Sequence, residues 1–177
     1  MIIPLDAHAV VLGLNLALAM AAEMRYTIYK DMTKTKGVVG IVIALIYGKK
    51  GSGKTKRLID MANDSIKDQK GDVLFIDDDN RYMFDLRHEI RFINAGEYGV
   101  HNAQMFVGFV CGLLAQNFDI RLIFVDAFLK LARDDIANLE WLFQALEATG
   151  KKNNVDFVIS CSGALEEAPA FIKPYII

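Results

Sequence analysis

The chain contains little cysteine, the residue that cross-links small secreted proteins, and little proline or tryptophan. Among its 177 residues there are two cysteines, three prolines and one tryptophan. Cys111 and Cys161 lie far apart and form no CxxC pair, so the sequence favours neither a zinc site nor a disulfide framework. Isolated cysteines of this kind are typical of small apolar side chains in a reducing compartment. We therefore expect a cytoplasmic protein.

An excess of charge of either sign is also lacking. Twenty Lys and Arg residues face 22 Asp and Glu residues, which gives a formal net charge of −2. A balance this close to zero provides no overall attraction to a polyanion. A nucleic acid is therefore not an expected partner.

Long apolar runs are missing as well, and the nearest candidate lies at the start of the chain. The sequence AHAVVLGLNLALAMAA covers residues 7–22, which is shorter than the roughly 20 residues needed to cross a bilayer. No positive charge precedes it, as a secretory signal would require. We expect no transmembrane span, and we interpret residues 1–36 as an apolar appendage. It is either a helix packed on the core or sequence from an upstream start, because Met24 and Met32 are alternative initiators.

The remaining sequence, residues 37–177, alternates regularly between strand-like and helix-like patterns. Hydrophobic residues make up 53% of the chain and charged residues 24%, so a single domain can bury a core. Five β-rich apolar runs predict buried strands. They cover residues 40–48, 72–79, 90–95, 120–128 and 155–162.

Helical patterns separate most of these strands. They are predicted at residues 54–67, at residues 103–116 and from Ile136 to Gly150, and the second of these helices is expected to be largely buried. For the third helix, Asp134 and Asp135 are candidate N-caps and Gly150 is the candidate C-terminal stop. Strands that alternate with helices require right-handed crossovers and a parallel sheet. The sequence thus predicts a three-layer α/β/α domain with a mainly parallel five-stranded sheet.

One short motif carries most of the chemical information. The stretch GKKGSGKT at residues 48–55 matches G-x-x-x-x-G-K-[ST], and it lies directly between a predicted strand and a predicted helix. This is the Walker A pattern, in which glycines let backbone N–H groups close on phosphate oxygens. The residues predicted to bind the nucleotide are Gly48, Lys50, Gly51, Ser52, Gly53, Lys54 and Thr55.

Two of these residues have specific expected roles. Lys54 would bridge the β- and γ-phosphates and so contribute to catalysis as well as to binding, and the Thr55 hydroxyl would bind Mg²⁺. A second metal-orienting acid is expected at the end of LIFVD, where Asp126 follows four apolar residues. In an open parallel sheet, ligands bind at that edge. ATP and Mg²⁺ are the expected cofactors, and adenine is favoured because no guanine-specific N/T-K-x-D segment occurs.

The order of these segments resembles the RecA-like core of the P-loop ATPases. The resemblance runs from about residue 40 to residue 162. FVDAF resembles the Walker B strand, FIDDDN the segment that carries the catalytic acid, and VISCS the strand whose polar end senses the γ-phosphate. The stretches ALIYGKKGSGKTKRLIDMA and FIDDDNRYMFDLRHEIRFINAGEYG more specifically resemble small bacterial ATP-binding proteins labelled as twitching-motility-ATPase-like. The histidine and aspartate boxes of the secretion motors are not visible.

The resemblance also implies a catalytic base. Many of these ATPases carry a glutamate directly after the Walker B aspartate, but here that residue is Ala127. Asp79 occupies the position of the RecA catalytic acid and is the expected base, with Asp77 and Asp78 as the alternatives beside it. Ser160 and Ser162 are candidates for sensing the γ-phosphate.

Three classes of function follow from this sequence. The first is a slow Mg²⁺-dependent ATPase that acts as a switch or small motor, with an unidentified protein partner and a possible homo-oligomer. The second is a regulatory module that binds ATP without hydrolysing it, which Ala127 favours. The third, less favoured, is a nucleoside kinase, because the zinc cysteines and the acid pair of type II thymidine kinases are missing.

Overall fold

A computed structural model describes residues 42–67 and 70–177 of the chain. The predicted appendage, residues 1–36, lies outside the described residues. Within the described part, no helix combines the length and the apolar character needed to cross a membrane.

The centre of the domain is a sheet of five strands that are all parallel. The strands are β1 (Ile43–Gly48), β2 (Asp72–Asp77), β3 (Ile90–Asn94), β4 (Ile120–Val125) and β5 (Asp156–Ser162). Their order across the sheet is β1-β5-β4-β2-β3, so β5 lies between β1 and β4. The predicted α/β class and the five-stranded parallel sheet are confirmed.

Helices cover both faces of this sheet. They are α1 (Lys54–Ser65), α2 (Ala103–Gln116), α3 (Phe128–Ala132) and α4 (Glu140–Asn153), with short 3₁₀ segments between them. The buried side of α1 joins one hydrophobic cluster, and the buried sides of the other three helices join a second. This arrangement is consistent with a three-layer α/β/α fold.

The alternation of side chains along each strand separates these two clusters. In β2, Val73 and Phe75 point toward α1, whereas Leu74 and Ile76 belong to the cluster on the opposite face. Successive strand residues point to opposite faces, and both faces here are covered. The strands are therefore continuous apolar runs, as a sheet buried on both sides requires.

Two details of α4 correct the sequence prediction. The helix begins at Glu140, and Asp134 instead accepts hydrogen bonds from the N–H of Asp135 and the side chain of Asn138, within a turn that precedes the helix. Gly150 does not end the helix, which continues to Asn153. A Cβ at Gly150 would lie 2.6 Å from the carbonyl oxygen of Val155, so glycine is needed there for close packing.

The prediction that α2 is largely buried is correct for only one of its faces. Ala103, Phe106, Val110 and Leu114 are buried, whereas Met105 is half exposed. The described chain packs against a single side of this helix, so its apolar outer residues have no cover from that part of the molecule.

Candidate functional site

The parallel sheet brings the predicted site residues to one edge. Gly48 ends β1, Asp77 ends β2 and Asp126 follows β4 directly. The N–H of Asp126 donates a hydrogen bond to the carbonyl of Ile76 at 2.9 Å, which fixes the start of the loop after β4 beside the end of β2. The carboxyl edge of the sheet therefore gathers residues that are up to about eighty positions apart in the sequence.

The loop between β1 and α1 depends on two glycines. Gly51 and Gly53 have φ angles of 82° and 81°, in the left-handed region that side chains rarely adopt. A Cβ would strain the backbone at either position, although neither has a neighbour within 4 Å. The loop is closed by a hydrogen bond from the N–H of Ser52 to the carbonyl of Lys49 at 3.2 Å. The motif therefore folds into a tight turn that ends at the first residue of α1.

The first turn of α1 carries positive charge and contains no acidic residue, although Asp60 in the next turn pairs with Lys56 at 2.7 Å. Lys54 begins the helix, Lys56 follows within the same turn, and this turn contains no acidic residue. The first N–H groups of a helix have no partner within the helix, and the helix dipole adds positive potential there. Acidic residues usually occupy this position, whereas Lys54, whose Nζ contacts only a backbone carbonyl, raises the potential further. A helix start of this kind is chemically suited to an anionic ligand.

The side chain of Lys54 reaches back across the loop between β1 and α1. Its Nζ donates a hydrogen bond to the carbonyl of Lys49 at 2.8 Å. A carbonyl oxygen only partly satisfies an ammonium group, which has three donors. Two donors thus remain for a ligand in the loop.

Asp126 is buried, with 5% of its surface exposed. Its carboxylate accepts hydrogen bonds from the hydroxyl of Ser160 and from the N–H of Ala127. Ala127 adopts the left-handed conformation with φ 49°, so the chain turns sharply after β4 and α3 begins at Phe128. Asp126 is held in one orientation by both neighbours.

Asp77 is the second buried carboxyl group at this edge, with 2% of its surface exposed. Burial raises the pKa of Asp77 to about 7; a hydrogen bond from the N–H of Asp78 opposes the shift, and the nearby charge of Asp126 adds to it. A carboxyl group with this pKa exchanges a proton readily near neutral pH.

The two aspartates that follow Asp77 are engaged by cations. Asp78 accepts hydrogen bonds from the Nζ of Lys130 at 3.0 and 3.1 Å. Asp79 accepts from the Nε of Arg81 at 2.7 Å and from its backbone N–H at 2.9 Å. Partial burial acts in the opposite direction, but these contacts lower the pKa of Asp79. Asp79 is consequently a weaker proton acceptor than Asp77.

These elements surround one cleft of about 920 Å³. Five of the seven residues predicted to bind the nucleotide line it, and Gly48 and Ser52 do not. Asp77, Asp126, Ser160 and Ser162 also line it, whereas Asp79 does not. The volume lies within the range of small-molecule sites. The lining residues from the predicted loop are Lys50, Gly51, Gly53, Lys54 and Thr55.

The opposite wall of the cleft contains residues that the sequence analysis did not assign to the site. Lys130 comes from α3, and Arg81 and Tyr82 come from the segment after β2. Lys130 lies four residues after Asp126, on the helix that follows this aspartate. That spacing was the signal in the sequence that could have placed Lys130 near the site. The guanidinium of Arg81 lies 5.6 Å from the centre of the Tyr82 ring, within the range of a cation–π contact.

The donor set at this edge suits a hard divalent cation with few protein ligands. Among the described residues, no group of three or more His, Cys, Asp or Glu side chains converges as a metal site. Mg²⁺ usually keeps several waters and binds through one or two carboxylates together with substrate phosphates. The Asp126 carboxylate and the Thr55 hydroxyl line the same cleft and provide oxygen donors of this kind.

Comparisons with known proteins do not assign the chain to a family. No protein-family model matches it, and no curated protein gives a significant match. The interpretation of the cleft therefore depends on its own geometry.

Proposed function

We propose that this protein binds a nucleoside triphosphate, ATP in preference to GTP, as a P-loop protein with a RecA-like core. The observation that carries the proposal is the first turn of α1. There, unpaired N–H groups, the helix dipole and Lys54 adjoin a glycine turn, and this first turn of the helix contains no acidic residue. A chain of phosphate groups is the ligand class that fits this arrangement.

Mg²⁺ would be held by the Thr55 hydroxyl and by Asp126, the latter directly or through water. When bound, it neutralises charge on the β- and γ-phosphates. Ser160 supports this role of Asp126, because its hydroxyl occupies one carboxylate oxygen and leaves the other available. Asp126 thus serves as an acceptor held in a fixed orientation.

We propose slow hydrolysis as the reaction, with Asp77 as the general base in preference to Asp79. Asp77 lines the cleft beside Asp126, whereas Asp79 is turned toward Arg81. Asp77 would accept a proton from water while the water oxygen bonds to the γ-phosphorus. The bond from phosphorus to the bridging oxygen breaks, and ADP leaves with the electron pair. A base with a pKa near the working pH suits this step.

A second candidate function is ATP binding without hydrolysis. Ala127 favours it, because the residue directly after Asp126 has no carboxylate and its N–H is already bound to Asp126. In that case the nucleotide would regulate contact with a protein partner or with further copies of this chain.

Phosphate release measured with and without Mg²⁺, beside an equilibrium titration with ATP, distinguishes these functions. Slow turnover that requires Mg²⁺ supports the ATPase, and saturable binding with no phosphate release supports the binding module. AMP serves as the control ligand, since it lacks the β- and γ-phosphates. Binding of AMP as tightly as ATP, or of neither, would refute the proposed phosphate site.

A further inference from the structure

The outer face of α2 differs from those of the other long helices in the described part of the chain. The exposed positions of α1 include Lys56, Asp60 and Asp64, and α4 also has charged residues on its exposed side. The sequence of α2, AQMFVGFVCGLLAQ, contains no Lys, Arg, Asp, Glu or His. Surface helices normally carry charged or polar residues on the side away from the core. The exposed positions of α2 are Gln104, Met105, Gly108, Cys111, Gly112, Ala115 and Gln116.

Two glycines in the middle of this face have no function within the described fold. A Cβ built at Gly108 or at Gly112 would meet no atom within 4 Å, and neither residue has a positive φ. Glycine inside a helix costs roughly 0.5–1 kcal/mol of stability relative to alanine. The close approach of another backbone would use the space at these two positions.

Large exposed apolar side chains also precede and follow α2. Tyr98 precedes α2 with 66% of its surface exposed, and its ring contacts that of Phe109 at 5.6 Å between centroids. Phe118 follows α2 with 80% exposed, and Met105 on the helix is 50% exposed. Exposed apolar surface of this extent is typical of an interaction site.

The order of the exposed residues favours a second copy of this helix as the partner. They are arranged symmetrically about the level of Val110, so an antiparallel copy of the helix would place each residue against a complementary one. Polar amides meet at the two ends, a long side chain meets a small one, and glycine meets glycine in the centre. The opposing pairs are Gln104 with Gln116, Met105 with Ala115, and Gly108 with Gly112.

We propose that the outer face of α2 is the contact surface between two copies of this chain, packed antiparallel about a twofold axis near Val110. Since the helix itself carries no charge, two copies bring no like charges together along it. The antiparallel arrangement also sets the positive end of each helix dipole beside the negative end of the other. A 14-residue helix is about 21 Å long, so the interface is small and the dimer is expected to be weak.

Cys111 provides a direct test, because it is exposed on this face one residue from the proposed axis. Full-length protein is treated with a short bis-maleimide from low to high micromolar concentration. We expect a covalent dimer whose yield falls on dilution and disappears in Cys111→Ser. Cys161 is buried, and burial raises its pKa to about 12, so it serves as the unreactive internal control. Free labelling of Cys111 without dimer at any concentration would overturn the proposal, as would protection that does not depend on concentration, which indicates cover from within the chain.

Sedimentation velocity under reducing conditions provides the second test. Gly112→Lys adds a charge to the centre of the face without a clash inside the chain, so it should fold normally and sediment as a monomer. Gln144→Lys adds the same charge to the exposed side of α4 and should dimerise like wild type. A dimer that persists in Gly112→Lys, or a wild type that remains monomeric at high concentration, would contradict the proposed interface.

Discussion

The hydroxyl of Ser160 on β5 donates a hydrogen bond to the carboxylate of Asp126, which directly follows β4. The contact is possible because β5 lies between β1 and β4 in the sheet. β5, the neighbour of β1 in the sheet, thus positions the acidic residue that follows β4. The same arrangement directs Asp126 toward the cleft that Thr55 lines.

This contact leads to a prediction for Asp126→Asn. The amide keeps the size of the side chain and can still accept from Ser160, but one negative charge is lost. We expect the fold to be retained and the Mg²⁺ dependence of ATP binding to weaken by about 10–100-fold. Titrations of ATP at several Mg²⁺ concentrations measure this effect. ATP binding that is equally insensitive to Mg²⁺ in both proteins would remove Asp126 from the site.

Turnover should separate Asp77 from Asp79. If Asp77 is the base, Asp77→Asn should lower phosphate release by about 10²–10⁴-fold with little change in ATP affinity. Asp79→Asn is the matched control, since it makes the same chemical change in a side chain that pairs with Arg81 and does not itself line the cleft. Loss of turnover in Asp79→Asn alone would show that Asp79 is the base, as the sequence predicts. Wild type at background turnover would favour the binding module.

The stability of the protein should depend on the protonation of Asp77. Its pKa is raised from 3.8 to about 7 in the folded protein, so folding favours the neutral form. The stabilisation that this provides is complete below pH 4 and is lost as the pH rises through 7, by at most about 1.4 kcal/mol per pH unit.

Asp77→Asn should therefore gain stability relative to wild type between pH 4 and pH 7. Urea unfolding at several pH values without Mg²⁺ measures the difference. The pKa of Asp156 is also raised by burial, to about 6, but this residue is present in both proteins and its effect cancels. A stability difference that stays constant across this pH range would show that the pKa of Asp77 is not raised.

The glycines of two helices should respond in opposite ways to alanine. Gly108→Ala on α2 should stabilise the monomer by about 0.5–1 kcal/mol, because a Cβ there meets nothing. Gly150→Ala on α4 should destabilise it by about 1–3 kcal/mol, because a Cβ there would lie 2.3 Å from Cγ1 of Val42. Unfolding at low protein concentration measures both changes. Equal effects of the two substitutions would contradict the described packing.

The sequence was sufficient for the sheet and for the loop. Continuous apolar runs located all five strands, since a strand buried on both faces needs no polar residues. The sequence could not show which of the three consecutive aspartates, Asp77 to Asp79, points into the cleft. The direction of each side chain depends on where β2 ends, and β2 ends at Asp77. The capping role of Asp134 failed for a similar reason: a side chain that can cap a helix can equally close the turn before it.

The exposure of α2 could not be predicted either. Between Gln104 and Gln116 its residues are apolar on every side, and such a pattern is typical of a buried helix. Whether a layer covers the outer face depends on tertiary or quaternary contacts that the periodicity of the sequence does not encode.

The most direct test of the central claim is the thermal stabilisation of wild type and Lys54→Ala by Mg·ATP. A ligand at about 100 times its dissociation constant stabilises a protein by about 2.7 kcal/mol, which corresponds to a rise in Tm of roughly 5–10 °C for a domain of this size. Lys67→Ala, an exposed lysine after α1 that is paired with Asp64, serves as the control and should rise like wild type. We predict almost no rise for Lys54→Ala, and a rise equal to that of wild type would contradict the assignment of the phosphate loop.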